Sequence, residues 1–364
     1  MGTIGVFLIT VIVFGVLIFV HELGHFIACR IFGVRVNEFA IGMGPKLLSK
    51  KSKKSGTVYS LRAFPIGGYN SIEDGTEEIT DEYGKTVTVQ KTEISKDSFP
   101  SKPVWQRIII IAAGAFMNFL LGFVIMTVIV IGTEKYGSTK IAFFTDTANP
   151  ELKIEEFAGI KSGDEIIKVG DRKVHTADEL VYSIFADGEA PVDVVVIRDG
   201  QELTFKNVKF PTAETQGVTF GVINFKVYAE EKNFVNTLKQ SFYGSTNAIT
   251  QVFDSISGMI TGKYGLEHMS GPIGVGEVIG EAAKLGINSV LNIAVVLSMN
   301  LGVFNLLPIP GLDGGKIIFL IIEAIIRRPI PRKIEEWTTV IGITLLMTLV
   351  VFVAFKDAFA LIFK

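Results

Sequence analysis

The chain has 364 residues, 48% of them hydrophobic, and a formal net charge of -2 at pH 7. Its mean hydropathy of +0.44 is too high for an ordinary soluble protein, yet 20% charged residues is too many for a chain wholly within lipid, so the composition describes a membrane protein carrying one soluble domain. The near-neutral balance supplies no field for nucleic acid, and a single cysteine, Cys29, excludes an intrachain disulfide or a multi-cysteine metal site.

Residues 1–31 open the chain with an apolar run that lacks a basic start and a small-residue cleavage site, so a retained transmembrane helix is expected rather than a signal peptide. Crossing about 30 Å of hydrocarbon takes roughly 20 helical residues. Residues 107–132, the first part of 285–327, and 336–358 also meet or approach that length, making about four spans. The run 316–326 is too short to cross and is expected at the interface or against the bundle.

The segment 32–106 carries Arg35, Lys46, Lys50, Lys51, Lys53, Lys54 and Arg62, and the connection before the last span carries Arg327, Arg328, Arg332 and Lys333. Both are therefore expected on the cytoplasmic side, with the long stretch after the second span outside. Within 32–106, the run GTVYSLRAFPIGGY is extended in character over about 56–70, with Gly67 and Gly68 as its turn. The polar residues 71–104 read as a loop with room for one short hairpin.

Residues 139–230 form a small α+β domain. DEIIKVGDRKV alternates around a Gly-Asp turn, PVDVVVIRDGQELTF is a hairpin about Asp199 and Gly200, and TADELVYSIFA begins as a capping box from Thr176 to Glu179. Residues 231–284 read as a helical connector along the membrane surface.

The chemistry-bearing stretch is FVHELGHFIACR, at the cytoplasmic end of the first span. Residues four apart share a helix face, so His21 and His25 can grip one ion, with Glu22 beside them to take a proton from water. This is the H-E-x-x-H zinc-hydrolase signature. The competing view is a helix-end cluster bonded to lipid headgroups, but ionisable groups in an apolar span are functional by default. A catalytic zinc wants a third protein ligand and an open position. His175 and His268 fall outside by this topology. Between Ala282 and Ile322 the one acidic residue is Asp313, which follows a span running inward and so arrives at the depth of His21 and His25. Cys29, with nothing nearby to activate it, is helix filler. Gly114, Asn118 and Gly122 recur every four residues and read as a packing face.

HELGH in the first span, NLLPIPGLDGG after the third and a domain between the second and third resemble the site-2 protease family, in particular its bacterial branch of zinc intramembrane metalloproteases with an extracytoplasmic PDZ domain. The stretch SFPSKPVWQRIIIIAAGAFMNFLLG also resembles that family's entry into its second helix, although Ala115 stands where the family usually has proline. The resemblance implies an α-helical polytopic membrane protein with an inserted PDZ domain and a membrane-associated β-hairpin. It implies one Zn2+ held by His21, His25 and Asp313, Glu22 as general base, and Asn300, Asn305, Gly67 and Gly68 in contact with the substrate backbone. It further implies a bacterial inner-membrane location and single-pass membrane substrates, such as anti-sigma factors or remnant signal peptides, first cut by an upstream site-1 protease.

Three other readings compete. A catalytically silent PDZ scaffold would lack part of the ligand set, which here is complete. A membrane oxygenase would need many histidines, and this chain has four. A proton-coupled transporter using Glu22 and Asp313 would hold no zinc.

Overall fold

A computed structural model describes the chain apart from residues 1, 81–85, 91–94, 146–152, 155, 216, 264, 266–268 and 363–364. In chain order, α1 (Thr3–Ile31) is followed by β1 (Val36–Lys51), β2 (Val58–Ile72), β3 (Thr76–Thr80), β4 (Thr86–Gln90) and α2 (Val104–Gly132). Strands β5 (Tyr136–Thr145), β6 (Lys153–Ile154), β7 (Glu156–Phe157), β8 (Ile160–Lys161), β9 (Glu165–Val169) and β10 (Arg172–Lys173) precede α3 (Ala177–Asp187). Then come β11 (Val192–Arg198), β12 (Gln201–Val208), β13 (Thr212–Thr215), β14 (Val218–Gly221) and β15 (Phe225–Glu230). The chain closes with α4 (Phe234–Thr261), α5 (Pro272–Leu285), α6 (Ile287–Leu306), α7 (Asp313–Ile326) and α8 (Arg332–Ile362). Two compact units result, Met1–Gly122 with His268–Lys364, and Phe123–Glu267.

Among the described residues, four helices are long and apolar enough to cross a membrane: Ile4–Ile31, Val104–Gly132, Ile287–Leu306 and Arg332–Phe359. At 1.5 Å per residue, the 20-residue α6 reaches about 30 Å, just the thickness of the hydrocarbon. Large apolar side chains such as Ile4, Phe7, Trp337 and Phe355 stay exposed along α1 and α8, as suits helices bathed in lipid. Helix α2 begins at Val104, earlier than the expected 107, because the Pro103 carbonyl already accepts from the amides of Gln106 and Arg107 at 3.0 and 3.2 Å. Proline has a helix-compatible φ and no N–H to lose, so it opens a helix readily. Pro331 does the same for α8, its carbonyl accepting from Ile334 N–H at 2.9 Å, which starts that helix ahead of 336. Near the end of α8, buried Asp357 accepts from the amides of Gly271 and Gly274 at 2.8 and 2.9 Å. A carboxylate from one helix thus caps the start of α5.

Strands β1 and β2 are long and bent, and pair as an antiparallel couple with repeated register shifts. Residues 38–41 have partners on both sides: Ala40 faces Tyr69 and also Ser60, while Ile41 faces Gly68 and also Leu61. Residues 46–51 pair with 58–62. The couple is therefore a small sheet of four segments in the order 46–51, 58–62, 38–41, 68–72, larger than the hairpin expected over 56–70. Gly67 and Gly68 do not form its turn. They lie within β2, where residues 65–67 bulge between the pairs Ile41–Gly68 and Met43–Phe64 and Gly67 takes φ +86°, a conformation open to glycine. Glu38 sits inside this sheet. Burial works against its carboxylate, but hydrogen bonds with Ser60, Lys46, Arg62 and Tyr69 outweigh it and bring the carboxyl down to about 2.

The second unit is built on an antiparallel sheet in the order β12-β11-β9-β5-β15. Its inward residues, among them Ile141, Phe144, Ile166, Val194 and Val196, bury against Leu180 and Ile184 of α3. Asp199 and Gly200 both take positive φ, 52° and 78°, the two-residue turn that matches strand twist. Thr176 caps α3 by accepting from Glu179 N–H at 3.3 Å. The Glu179 carboxylate returns to the His175 N–H at 2.8 Å, one residue before the usual capping-box partner. Arg198 makes two 2.7 Å bonds to buried Asp164. The expected connector over 231–284 is two helices in different units. Helix α4 belongs with the sheet, where Arg172 bridges Asp187 and Asp254 at 2.7 Å each and Tyr182 donates to Asp254 at 2.8 Å, whereas α5 packs against α1 and α6.

Candidate active site

The site forms where α1, α2 and α7 meet. His21 and His25 project from one face of α1, and Asp313 occupies the first turn of α7. That turn folds back on the chain before it: a Cβ on Gly315 would lie 2.6 Å from the Ile309 carbonyl oxygen, so a side chain there would force Asp313 away. Arg107 of α2 holds α7 in place with two bonds to Glu323, at 3.1 and 2.5 Å.

The Nε2 atoms of His21 and His25 are 3.2 Å apart, and each is 3.2 Å from Oδ2 of Asp313. Two ligand atoms on a tetrahedral zinc with bonds of about 2.0 Å stand about 3.3 Å apart, so this triangle has the dimensions of one face of that tetrahedron. Asp313 Oδ2 is buried yet satisfied by no hydrogen bond of ordinary geometry. Three acceptors aimed at one point are costly alone and are accounted for by a cation among them. The donor set, two imidazoles and a carboxylate with all three side chains more than four-fifths buried, therefore fits zinc.

The tautomers agree. His25 Nδ1–H donates to the Ile110 carbonyl at 2.9 Å, leaving the Nε2 lone pair for a metal. His21 Nδ1 lies 3.3 Å from the amide of Asn118, whose Oδ1 is buried without a partner among the described residues. Turned end for end, an equivalent placement for an amide of this shape, Asn118 accepts from Nδ1–H, satisfies its oxygen and frees His21 Nε2. Asn118 is itself held by α6, its carbonyl accepting from Ser298 at 2.7 Å. Gly114 lies against both rings: a Cβ there would stand 2.5 Å from His25 Nε2 and 2.7 Å from His21 Cε1. Of the three small residues read as a packing face, Gly122 alone fits that description, resting on Met299. Gly114 and Asn118 belong to the site, a role their four-residue spacing concealed.

Glu22 is half-buried and faces β2, where Asn70 Nδ2 donates to its carboxylate Oε2 and to its main-chain oxygen, both at 2.7 Å. Gly68 lies against the same side chain. Asn300 and Asn305 are half-buried on α6, and neither side chain has a hydrogen-bond partner among the described residues. Gly67 is apart from the ligand cluster, packed on Met43. Cys29 is fully buried. His175 stacks on Tyr243 in the second unit, ring centroids 4.0 Å apart, and His268 lies outside the described residues.

Three side chains placed to hold a metal ion, a glutamate next to two of them in sequence and four apolar helices have the make-up of a multi-pass membrane zinc metalloprotease. The chain belongs to peptidase family M50, the site-2 proteases, whose profile matches residues 9–349. A Clostridium perfringens protein, named provisionally as a zinc metalloprotease, is 35% identical over 94% of this chain and 96% of its own length. The regulator of sigma-W protease RasP of Bacillus subtilis is 31% identical over 95% and 96% respectively. The zinc metalloprotease RasP of Geobacillus kaustophilus is also 31% identical, over 95% and 96%.

Proposed function

We propose that this protein is an intramembrane endopeptidase that cuts single-pass membrane proteins within or near their transmembrane segment, after a first cut by another protease outside. The observation that carries the proposal is the 3.2 Å triangle of His21, His25 and Asp313, formed at the end of an apolar span. Bound there, zinc would supply Lewis acidity to polarise the scissile carbonyl and to sharpen the acidity of water. His21, His25 and Asp313 hold the ion, Asn118 and the Ile110 carbonyl fix the two imidazoles, and Gly114 leaves them room. Glu22 accepts a proton from the attacking water and returns it to the departing amine.

A helical substrate hides its peptide bonds, so it must unwind, and its freed N–H and C=O groups then need partners. Residues 68–72 pair on one side only among the described residues, and this free edge supports strand addition, with Gly67 and Gly68 permitting close approach. Asn300 and Asn305, with unspent donors and acceptors, serve the same unwound segment. The sheet of the second unit with helix α3 packed on it is read as an extracytoplasmic PDZ domain that admits only trimmed substrates. The setting is a bacterial inner membrane. By analogy with the sigma-W regulator, the substrate class is anti-sigma factors, with remnant signal peptides as the other candidate.

Purified Glu22→Gln should retain about one zinc per chain and fail to cleave a trimmed single-pass substrate that the wild type cuts. Cleavage by the Gln variant would overturn the assignment.

A further inference from the structure

Strand β2 touches the catalytic helix through Gly68 and Asn70, two residues apart and so on one face of the strand. Asn70 gives both bonds of its Nδ2 group to Glu22, at 2.7 Å to the main-chain oxygen and 2.7 Å to Oε2. Its own Oδ1 is buried with no partner among the described residues. An amide in that state is worth keeping only for what its nitrogen does, since the stranded oxygen opposes burial. Gly68 brings the strand close enough for this bond: a Cβ there would lie 2.9 Å from the Ala40 carbonyl oxygen and 3.1 Å from Glu22 Cγ. No other side chain donates to the Glu22 carboxylate among the described residues.

We propose that Asn70 is the positioning residue for Glu22: it holds the carboxylate in one rotamer and makes that placement depend on the seating of the β1–β2 sheet against α1. The proposal rests on Glu22 being the general base. It adds that the base is in place only while β2 is docked, and β2 carries the free edge offered to the substrate. A helix-borne glutamate with three rotatable bonds is otherwise free to swing from the scissile bond, and misplacement by about 1 Å costs on the order of 100-fold in rate.

The test uses the full chain in detergent with a trimmed single-pass substrate. Asn70→Leu keeps the size and removes the donors. It should lower kcat by about 100-fold with KM and zinc content within about twofold of wild type, and Asn70→Gln, which can still donate, should recover at least about tenfold of that loss. A Leu variant with unchanged kcat, or one that loses zinc, or a Gln variant no better than Leu, overturns the proposal. A second measurement does not depend on catalysis. With Cys29 buried, a cysteine introduced at Ala40, which is buried in β1 beside Gly68, reports the seating of the sheet by its alkylation rate. Asn70→Leu and Glu22→Ala should each speed alkylation, and the double variant no more than either alone. Additive effects would show that the two side chains do not act through each other. Failure of the wild type to cut any membrane substrate would sink the protease reading while leaving this cycle to decide the contact.

Discussion

Adding one methyl group at Gly114 should weaken the proposed metal site without unfolding the bundle. The Cβ of Gly114→Ala would stand 2.5 Å from His25 Nε2 and 2.7 Å from Cε1 of both His21 and His25, where ordinary contact begins at 3.4 Å. Relief requires the ring and the helix to part by roughly 0.9 Å. His25 cannot give way cheaply, because its Nδ1–H is bonded to the Ile110 carbonyl at 2.9 Å and Ile110 lies on the same helix as Gly114. The displaced atom is the proposed ligand itself, so the effect on zinc should be at least that of losing an outer partner, about 10- to 100-fold in affinity, or about 1.4–2.7 kcal/mol. Overpacking adds about 1–3 kcal/mol of lost stability, too little to dismantle four helices. The assay is zinc retained per chain against a graded chelator, alongside thermal unfolding in detergent. Gly122→Ala is the control: its Cβ meets the flexible end of Met299, at 2.6 Å from Cε, and should leave zinc retention as in wild type. If Gly114→Ala held zinc through the same competition as Gly122→Ala, the placement of the imidazoles against α2 would be wrong.

Asn118→Leu should weaken zinc retention by about 10- to 100-fold, whereas Asn118→Asp, which still accepts from His21 Nδ1–H, should hold the metal at least as well; the same chelator series reads both. Asp357→Ala strips the cap from α5 and should cost about 1–2 kcal/mol, seen as a lower unfolding temperature with zinc content unchanged. In the sheet unit, burial opposes the Asp164 carboxylate, but bonds from Arg198 and the Lys161 N–H prevail and hold its carboxyl below the ordinary 3.8. A group with a depressed folded value stabilises fully above its unfolded value and loses that contribution as pH falls below it. The protection of the β9 and β11 amides against hydrogen exchange, taken relative to the intrinsic rate at each pH, should therefore fall in acid below about pH 4 in wild type, and Asp164→Asn should flatten that dependence. An unchanged acid profile in the Asn variant would remove Asp164 as its source.

What could be read from the residues was whatever is written in local spacing or in length. His21 and His25 are one helical turn apart, and Asp313 stands alone among apolar neighbours, so each announces itself within a short window. The turn at Asp199 and Gly200 and the cap at Thr176 are equally local. Asn118 was hidden because its meaning lies in a contact with His21, 97 positions away, and a small polar residue between two glycines at four-residue intervals looks like a packing stripe. Asn70 gave no signal for the same reason: its partner is 48 positions distant and on another kind of element. The glycine pair 67–68 suggests a turn in sequence because that is where adjacent glycines usually sit. Here β2 runs on through them, since β1 is long enough to pair beyond the bulge. Val58 and Leu61, within the extended run 56–70, each have partners on both sides, so proline at either position would break the sheet.

If a substrate pairs with β2 as proposed, the bulged strand has an effect on where the bound peptide is cut. A chain laid along residues 68–72 is counted off by the pleat, and sliding by one residue would turn every side chain to the opposite face. Since Glu22 is tied to that same strand, the scissile bond is measured from the ladder rather than from the membrane surface. Secondary cleavage products should accordingly differ from the main one by two residues, a ruler with its zero mark at Asn70.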